Sequence, residues 1–421
     1  MPTGFLLLIS AQFASALADN ALLIVTIALL QQQQLPGWWA PLLKFGFTVS
    51  YVVFAPFVGP LADAFPKARL MACMNGVKVI GVTALLFGLH PVAAFAVVGF
   101  GAAAYAPAKY GLVTELVGPG RLVAANGWLE VSVVCAVLLG TVLGGALVSP
   151  WMLDRSPAGA GQWLASLGIP GAGVLNDSLL VLLAVYAVAA LLNMRVPDSG
   201  VRYAASRVHP ILLAREFLQA NRTLWRDRDG GLSLAVTTIF WGVGATLQFA
   251  VLRWAADVLR LPLNQAAYLQ AAVAVGVIAG ASAAARWVPL ANAKRVLVAG
   301  VALGLMMPLI ASTTELAWAV PWLALVGAVG GILVVPLNAL LQHRGYTLFS
   351  AGRSIAIQGF NENASVLGML AIYAALIALD VPIVVVMWGF GLSIAAAIAL
   401  LIHRDRARDR RESTAASAPV V

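Results

Sequence analysis

Charged side chains are scarce in this sequence of 421 residues. Asp, Glu, Lys and Arg together make up 10% of the chain, whereas 61% of its residues are hydrophobic. A soluble domain carries about 25% charged residues, so the composition excludes one of this length. Crossing a bilayer takes about 20 consecutive apolar residues, and the sequence contains many such runs. It therefore predicts an all-α polytopic membrane protein.

Cysteines and catalytic motifs are also lacking. The two cysteines, Cys73 and Cys135, lie in apolar segments, which predicts neither a disulfide nor a metal site. The sequence has no Walker A loop, Gly-x-Ser-x-Gly elbow or His-Glu-x-x-His motif, so it offers no ATP site and no familiar catalytic site. We expect a protein without enzymatic activity, metal or bound cofactor.

Hydropathy predicts about twelve transmembrane helices in two halves. The first half covers residues 1–195, a basic linker covers 196–229, the second half covers 230–403, and a charged tail at 404–421 is expected to be disordered. The predicted spans are 4–30, 42–62, 70–89, 92–114, 122–148 and 176–195 in the first half, and 231–254, 264–287, 296–312, 319–342, 354–379 and 382–402 in the second.

The positive charges lie mostly on one side of the predicted bundle. The net charge of +9 comes from 26 Lys and Arg against 17 Asp and Glu. With both termini in the cytoplasm, the opposite loops hold only Arg155 and Arg260, as the positive-inside rule requires. This placement accounts for the charge without a nucleic-acid partner. Within the linker, residues 210–228 carry an apolar stripe among arginines, which predicts an amphipathic helix in contact with membrane lipids.

The two halves repeat each other. Residues 120–130 (GRLVAANGWLE) match residues 352–362 (GRSIAIQGFNE), and Gly101-x5-Pro107 matches Gly330-x5-Pro336. Several matches in register predict a parallel repeat of six spans in each half. This layout resembles the major facilitator fold.

The turn between the second and third predicted spans resembles the signature loop of that fold, Gly-x-x-x-Asp followed by basic residues. Here it runs from Gly59 through Asp63 and Lys67 to Arg69. Gly59 permits close helix packing, and Asp63 can accept a hydrogen bond from a neighbouring helix end and pair with a cation. We expect a gating contact that closes the cytoplasmic side.

Ionisable residues inside predicted spans are candidates for a central site, because a charge in lipid costs several kcal/mol and by default faces the bundle interior. Asp19 lies fifteen residues after Gly4, about 22 Å along a helix. Asparagines accompany two of the carboxylates, Asn20 next to Asp19 and Asn363 next to Glu362. Such a patch can bind an ammonium or a zwitterionic headgroup. The inward candidates are Asp19, Lys78, Lys109, Glu130, Arg253 and Glu362.

Structural roles are open alternatives for several of these residues. Asp19 could serve only to hydrogen-bond two helices together. Glu130 and Glu362 lie nine residues after Arg121 and Arg353, and could form structural or gating salt bridges inherited by duplication. Lys78 and Lys109 are the natural counter-charges, although Lys109 could instead extend to the membrane surface.

Several segments are similar to the lysophospholipid transporter family of the major facilitator superfamily. This resemblance implies transport of lysophospholipids, chiefly lysophosphatidylethanolamine, to the cytoplasmic leaflet of the bacterial inner membrane. There a cytoplasmic acyltransferase/acyl-carrier-protein synthetase re-acylates them. It also implies a cavity open sideways to lipid, with Asp19, Lys109 and Glu362 in its polar site. The segments are residues 11–23, 55–63, 101–111, 125–127, 334–342 and 362–363.

One position departs from that family's pattern. An arginine follows Gly-x-x-Leu on the seventh span of the family, whereas this sequence has Gln248 there. Arg253 follows five residues later, about 7 Å further along the helix, and would have to reach back to contact a phosphate. The headgroup candidates are therefore Asp19, Asn20, Lys78, Lys109, Gln248, Arg253, Glu362 and Asn363.

Two hypotheses remain, from different functional classes of the same fold. The first is a lysophospholipid flippase that works by alternating access. The second is a proton-coupled exporter of drugs or small solutes, in which Asp19 or Glu362 carries the proton. Transport coupled to a cation, either sodium or a proton, is compatible with both hypotheses. A scaffold that only recruits a cytoplasmic enzyme would leave the buried charges unexplained.

Overall fold

The computed structural model describes residues 3–35, 39–149, 175–201, 209–261 and 263–416, together with Met152, Ser166 and Tyr203. The helices of the first half are α1 Thr3–Gln32, α2 Trp39–Val53, α3 Ala55–Ala64, α4 Lys67–Leu86, α5 Pro91–Leu116, α6 Leu122–Leu147 and α7 Asn176–Met194. The linker and second half contain α8 Pro210–Arg226, α9 Arg228–Asp257, α10 Leu263–Trp287, α11 Leu297–Ala311, α12 Leu316–Leu348, α13 Ala351–Ala378 and α14 Ile383–Ala416.

The number of spans agrees with the prediction. Among the described residues, 11 helices are long and apolar enough to cross a membrane, and the bent pair α2–α3 makes up to 12. The sequence predicted one continuous second span over 42–62, and this is wrong in one respect, because the helix axis bends by 65° after Val53. Pro56 explains the bend, since proline has no N–H to donate to the carbonyl four residues earlier.

The predicted pseudo-symmetry of two six-helix halves is confirmed by the helix packing. In the first half, the first span packs on the fifth, the second on the fourth and the third on the sixth. The second half repeats these three pairings, as α9 on α13, α10 on α12 and α11 on α14. Each half also buries its own apolar cluster, around Leu22 and Tyr186 in the first and around Trp254 and Met307 in the second.

Helices α10 and α12 approach until their backbones touch. A Cβ atom added to Gly276 would collide with the backbone of Ala324, and one added to Gly327 would collide with the backbone of Val273. Small residues of this kind drive helix association in membranes, where close van der Waals contact replaces the hydrophobic effect. The pair therefore forms one rigid wall of the second half.

The two halves meet at one end of the bundle, which we call the basic end and define by the turns 65–66, 117–121, 288–296 and 349–350. There Gly59 lets α3 lie against α13, so that a Cβ at Gly59 would be 3.0 Å from the Cα of Arg353. The side chains of Asn126 and Gln342 hydrogen-bond each other, with N–O distances of 2.8 and 2.9 Å. The basic end is therefore closed in this structure.

The last helix corrects one prediction. The sequence predicted disorder from residue 404 onward, yet α14 continues to Ala416. Asp405 accounts for part of this extension, because it pairs with Arg228 at 3.3 Å and with Lys294 at 3.4 Å. Alanine and arginine are also good helix formers, so the segment needs little more to stay helical.

Candidate functional site

A buried ion pair joins α1 to α4 in the first half. Lys78 Nζ lies 2.9 and 2.7 Å from the two carboxylate oxygens of Asp19. The Tyr186 hydroxyl donates a further hydrogen bond of 2.7 Å to Asp19, and Lys78 donates one of 2.9 Å to Ser15. The side chain of Lys78 is 1% exposed and that of Asp19 is 18% exposed. Lys78 is thus the counter-charge of Asp19, one of the two roles predicted for it, and its contact with a headgroup stays a prediction.

A second polar group lies next to this pair and centres on Lys109. Lys109 Nζ donates to Gln12 Oε1 at 3.3 Å, and Gln12 Nε2 donates to Ser132 Oγ at 3.0 Å. The ammonium also lies 4.2 Å from the centre of the Tyr110 ring, a favourable cation–π distance. These contacts tie α5, α1 and α6 together and hold the lysine side chain inside the bundle rather than at the membrane surface.

The carboxylates of the repeated motif lie on α6 and α13. Glu130 is buried in the first half. In the second half, Gln358 Nε2 donates to Glu362 at 2.8 Å and to Asn338 at 3.0 Å. Glu362 is thus held by a neutral amide, and its side chain keeps part of its surface open.

The internal repeat shows that the two halves carry different charges at equivalent positions. Aligning Pro107 with Pro336 places Lys109 opposite Asn338, two residues later in each half. The first half therefore has a cation where the second has an amide. Among the described residues, no ion pair includes Lys109, Glu130 or Glu362.

Other predicted headgroup residues are engaged elsewhere. Asn20 and Asn363 each donate to a carbonyl of their own helix, that of Ala16 and that of Gly359. Arg253 pairs with Asp257 at 3.3 Å with its side chain 43% exposed. It lies in the last turns of α9, and its predicted contact with a headgroup stays a prediction.

An apolar cavity of about 230 Å³ lies inside the second half, between α9, α10, α11, α12 and α14. Its lining on α9 runs from Ile239 to Val251, about 18 Å along the helix axis. Gln248 and Gln270 provide its polar lining, and Gln270 Nε2 donates to the carbonyl of Gln248 at 2.9 Å. Gln248 thus borders a cavity suited to hydrocarbon, in the half that lacks the buried lysines.

The signature loop forms a polar contact between the halves at the basic end. Asp63 accepts hydrogen bonds from the backbone N–H of Gly352, at 2.9 Å, and from the hydroxyl of Ser350. Both donors lie at the start of α13, where unpaired N–H groups favour a negative charge. Lys67 lies 3.8 Å from Asp63 and 2.6 Å from Glu115. Asp63 therefore meets a neighbouring helix end and a cation, as its position in the sequence predicted.

Sequence reasoning overlooked Glu115. Its side chain is 0% exposed and that of Lys67 is 3% exposed, and Ser199 and Tyr203 of the linker also donate to Glu115, at 2.6 and 2.9 Å. The predicted fourth span ended at residue 114, so Glu115 counted as a loop residue. The residue that could have pointed to Glu115 is Lys67, because a lysine at a closed gate needs a carboxylate partner.

The remaining predicted gating residues differ in their surroundings. Arg353 pairs with Glu216 of α8 at 2.9 Å. Arg69 and Arg121 are exposed, and they take part in none of the ion pairs found among the described residues. The same part of the chain contains no group of three or more His, Cys, Asp and Glu side chains arranged to hold a metal ion.

Two six-helix halves that close at one end around buried charges define a transporter of the major facilitator class. The family model of the Major Facilitator Superfamily matches residues 8–365. The fold is similar to that of the transporter FucP in its outward conformation, with a TM-score of 0.70 and 16% identity over 96% of this chain and 98% of FucP. It is also similar to the human organic anion transporter MFSD10, with a TM-score of 0.71 and 14% identity over 94% and 100% of the two chains.

Relatives with much higher sequence identity narrow the family. The chain is 41% identical over 377 residues to the lysophospholipid transporter LplT of Yersinia pestis (strain Pestoides F), which covers 89% of this chain and 87% of the relative. The same values hold for LplT of Yersinia pseudotuberculosis serotype I (strain IP32953). This chain belongs to the lysophospholipid transporter family within the Major Facilitator Superfamily.

Proposed function

We propose that this transporter moves lysophospholipids, chiefly lysophosphatidylethanolamine, to the cytoplasmic leaflet of the bacterial inner membrane. The observation that carries the proposal is that the two halves differ in the groups they offer to a ligand. Buried charges are concentrated in the first half, and an apolar cavity occupies the second. A ligand that satisfies both has a charged headgroup and one hydrocarbon chain.

Lys109 and Glu362 are the groups we assign to the headgroup. An ammonium held by an amide and an aromatic ring suits a phosphate, and a carboxylate held by a neutral amide suits the ethanolamine ammonium. The exposed part of the Asp19 carboxylate contributes to the headgroup site, and its ion pair holds Lys78 in place. The hydrocarbon chain enters the apolar cavity, whose lining of about 18 Å slightly exceeds the depth of one leaflet, about half of a 30 Å hydrocarbon core.

The orientation we propose places the basic end, and with it both termini, in the cytoplasm. The closed basic end then corresponds to a state open to the opposite side. Opening the basic end delivers the lipid to the cytoplasmic leaflet, where a cytoplasmic acyltransferase/acyl-carrier-protein synthetase re-acylates it. In this scheme the protein is a carrier and catalyses no chemical step.

Charge balance supports a coupling cation. Asp19 and Lys78 neutralise each other, and Lys109 balances Glu130, which leaves Glu362 as an excess negative charge among these five groups. A zwitterionic headgroup adds no net charge. We therefore propose that one sodium ion or proton enters with the lipid, since an uncompensated carboxylate is costly at this depth.

Uptake of labelled lysophosphatidylethanolamine into spheroplasts that lack their own transporter tests the function. Wild-type protein should restore uptake, and Glu362→Gln should weaken apparent affinity roughly tenfold or more, because a hydrogen bond to a charged group contributes about 1.5–3 kcal/mol. Glu315→Gln, at an exposed carboxylate outside the site, is the matched control. No uptake by well-expressed wild type, or displacement of the lipid by soluble drugs, would favour an exporter instead.

Filling the apolar cavity should change chain-length preference. Gly244 lines the cavity, and a Cβ atom added there would meet nothing within 4 Å, so Gly244→Phe can project into the cavity without a clash. Each buried CH2 contributes about 0.8 kcal/mol, and displacing three of them should lower uptake of long-chain lysolipids roughly fiftyfold, with a much smaller loss for short chains. Gly145→Phe, equally open but remote from the cavity, is the control. An equal loss for all chain lengths would contradict the assignment.

A further inference from the structure

Helix α8 lies against both halves at the basic end. Its buried face consists of Leu213, Phe217 and Leu224. Phe217 belongs to one apolar cluster with Ala55 of α3 and Ile357 of α13, and its ring lies 5.3 Å from that of Phe360. The linker helix therefore covers the seam between α3 and α13, the same two helices that Asp63 joins.

Polar contacts fix α8 along the side of α13. Glu216 accepts from Arg353 at 2.9 Å, Asn221 accepts from Asn361 at 2.9 Å, and Trp225 Nε1 donates to Asn361 at 3.0 Å. Arg353 and Asn361 are eight residues apart, about 12 Å along α13. Helix α8 thus follows the first turns of α13 and lies beside the bundle at the basic end.

The outer face of α8 combines arginines with apolar side chains. Ile211, Leu218 and Trp225 are exposed at intervals of seven residues, and Arg215, Arg222 and Arg226 are exposed next to them. Intervals of three, four and seven place all six on one face. Helices with this pattern bind at the surface of anionic membranes.

The acidic groups of this segment do not offset that charge. Glu216 pairs with Arg353, and Asp227, which follows α8, pairs with Arg344 at 2.6 Å. Burial alone would raise the pKa of Asp227, but hydrogen bonds from Arg344 and from the N–H of Gly230 lower it below the ordinary value. Both carboxylates are thus committed to partners inside the protein, and the outer face carries three positive charges.

We propose that α8 is a lipid-dependent clamp, whose outer face binds anionic headgroups of the adjacent leaflet while its inner face holds α3 against α13. The basic end opens only when α3 and α13 separate, and α8 contacts both. Because the hydrogen bonds and the ion pair of α8 are with α13, opening of the basic end must separate α8 from α3. Binding of the outer face to an anionic surface favours the docked position, and so favours the closed basic end.

The test measures the gate in membranes of defined charge. The full chain, with Cys73 and Cys135 replaced by Ser, carries nitroxide labels at Phe65→Cys and Thr347→Cys, on either side of the gate. Double electron–electron resonance then gives the closed and open populations in nanodiscs of phosphatidylcholine alone or with about one-third phosphatidylglycerol. With the anionic lipid, the ratio of closed to open protein should rise at least about fivefold.

Three variants decide the outcome. Arg215→Gln combined with Arg222→Gln and Arg226→Gln should abolish the response to phosphatidylglycerol, and the corresponding Lys substitutions should retain it. The matched control removes three exposed arginines from α14 at the same end, Arg404, Arg406 and Arg408, and should respond like wild type. A response that persists without the α8 arginines, is lost equally in the control, or is missing from the wild type would overturn the proposal.

Discussion

Asp19→Asn should destabilise the transporter by about 3–5 kcal/mol and abolish lysolipid uptake. The substitution leaves the Lys78 ammonium buried without its partner, and removal of one member of a buried ion pair costs about that much. Two neighbouring groups lose their geometry as well, because Tyr186 and Ser15 bond to the same pair. A lower midpoint of thermal unfolding in detergent and the loss of uptake in spheroplasts are the measurements.

The double variant Asp19→Asn, Lys78→Gln separates stability from transport. It removes both charges together, so most of the lost stability should return, because replacing a whole buried pair costs far less than breaking it. Uptake should stay below roughly a tenth of the wild-type rate if the Asp19 carboxylate also serves the headgroup. Recovery of both stability and uptake would mean that Asp19 is only the counter-charge of Lys78.

Asp63→Ala should shift the transporter toward a state with an open basic end. The variant removes the acceptor for two hydrogen bonds from the start of α13, each contributing about 1.5 kcal/mol when the acceptor is charged. A total of about 3 kcal/mol corresponds to a change of roughly two orders of magnitude in the ratio of closed to open protein. The distance between labels at Phe65→Cys and Thr347→Cys reports this ratio.

Asp63→Asn is the informative comparison. Asparagine keeps an acceptor oxygen for the Gly352 N–H but loses the charge, so its shift should be clearly smaller than that of the alanine variant. Glu315→Ala, at an exposed position of the opposite end, controls for the loss of a carboxylate. If Asp63→Ala leaves the label distance unchanged, Asp63 does not hold the gate closed.

Much of this architecture could be predicted because its signals lie in short segments. The apolar runs fixed the spans, and the matching motifs around Glu130 and Glu362 predicted the repeat of the two halves. The signature loop predicted the environment of Asp63, since an acidic residue in a tight turn suits the N–H groups of a helix start.

Other features depend on contacts between distant parts of the chain, which no local pattern contains. Lys109 and Lys78 look alike in the sequence, yet Lys78 is fully paired with a carboxylate and Lys109 is held by Gln12. Arg253 pairs with Asp257 of its own helix. Asp405 pairs with Arg228 and Lys294, which belong to other segments. The family resemblance implied a cavity open to lipid, but no local pattern indicated its place in the second half, because each of its walls is an ordinary transmembrane helix.

The break between α2 and α3 has a mechanical consequence. Gly59 and Asp63 fix α3 to α13, and α2 is a separate helical segment beyond the 65° bend, which packs on α5 and α13. Because Pro56 has no N–H, the backbone hydrogen bond that a continuous helix would have at this joint is absent. A change in the angle between α2 and α3 near Phe54 therefore breaks no backbone hydrogen bond. The second span is thus two helical segments joined without a stiffening hydrogen bond, so the angle between them can change while the contacts of Gly59 and Asp63 at the basic end are kept.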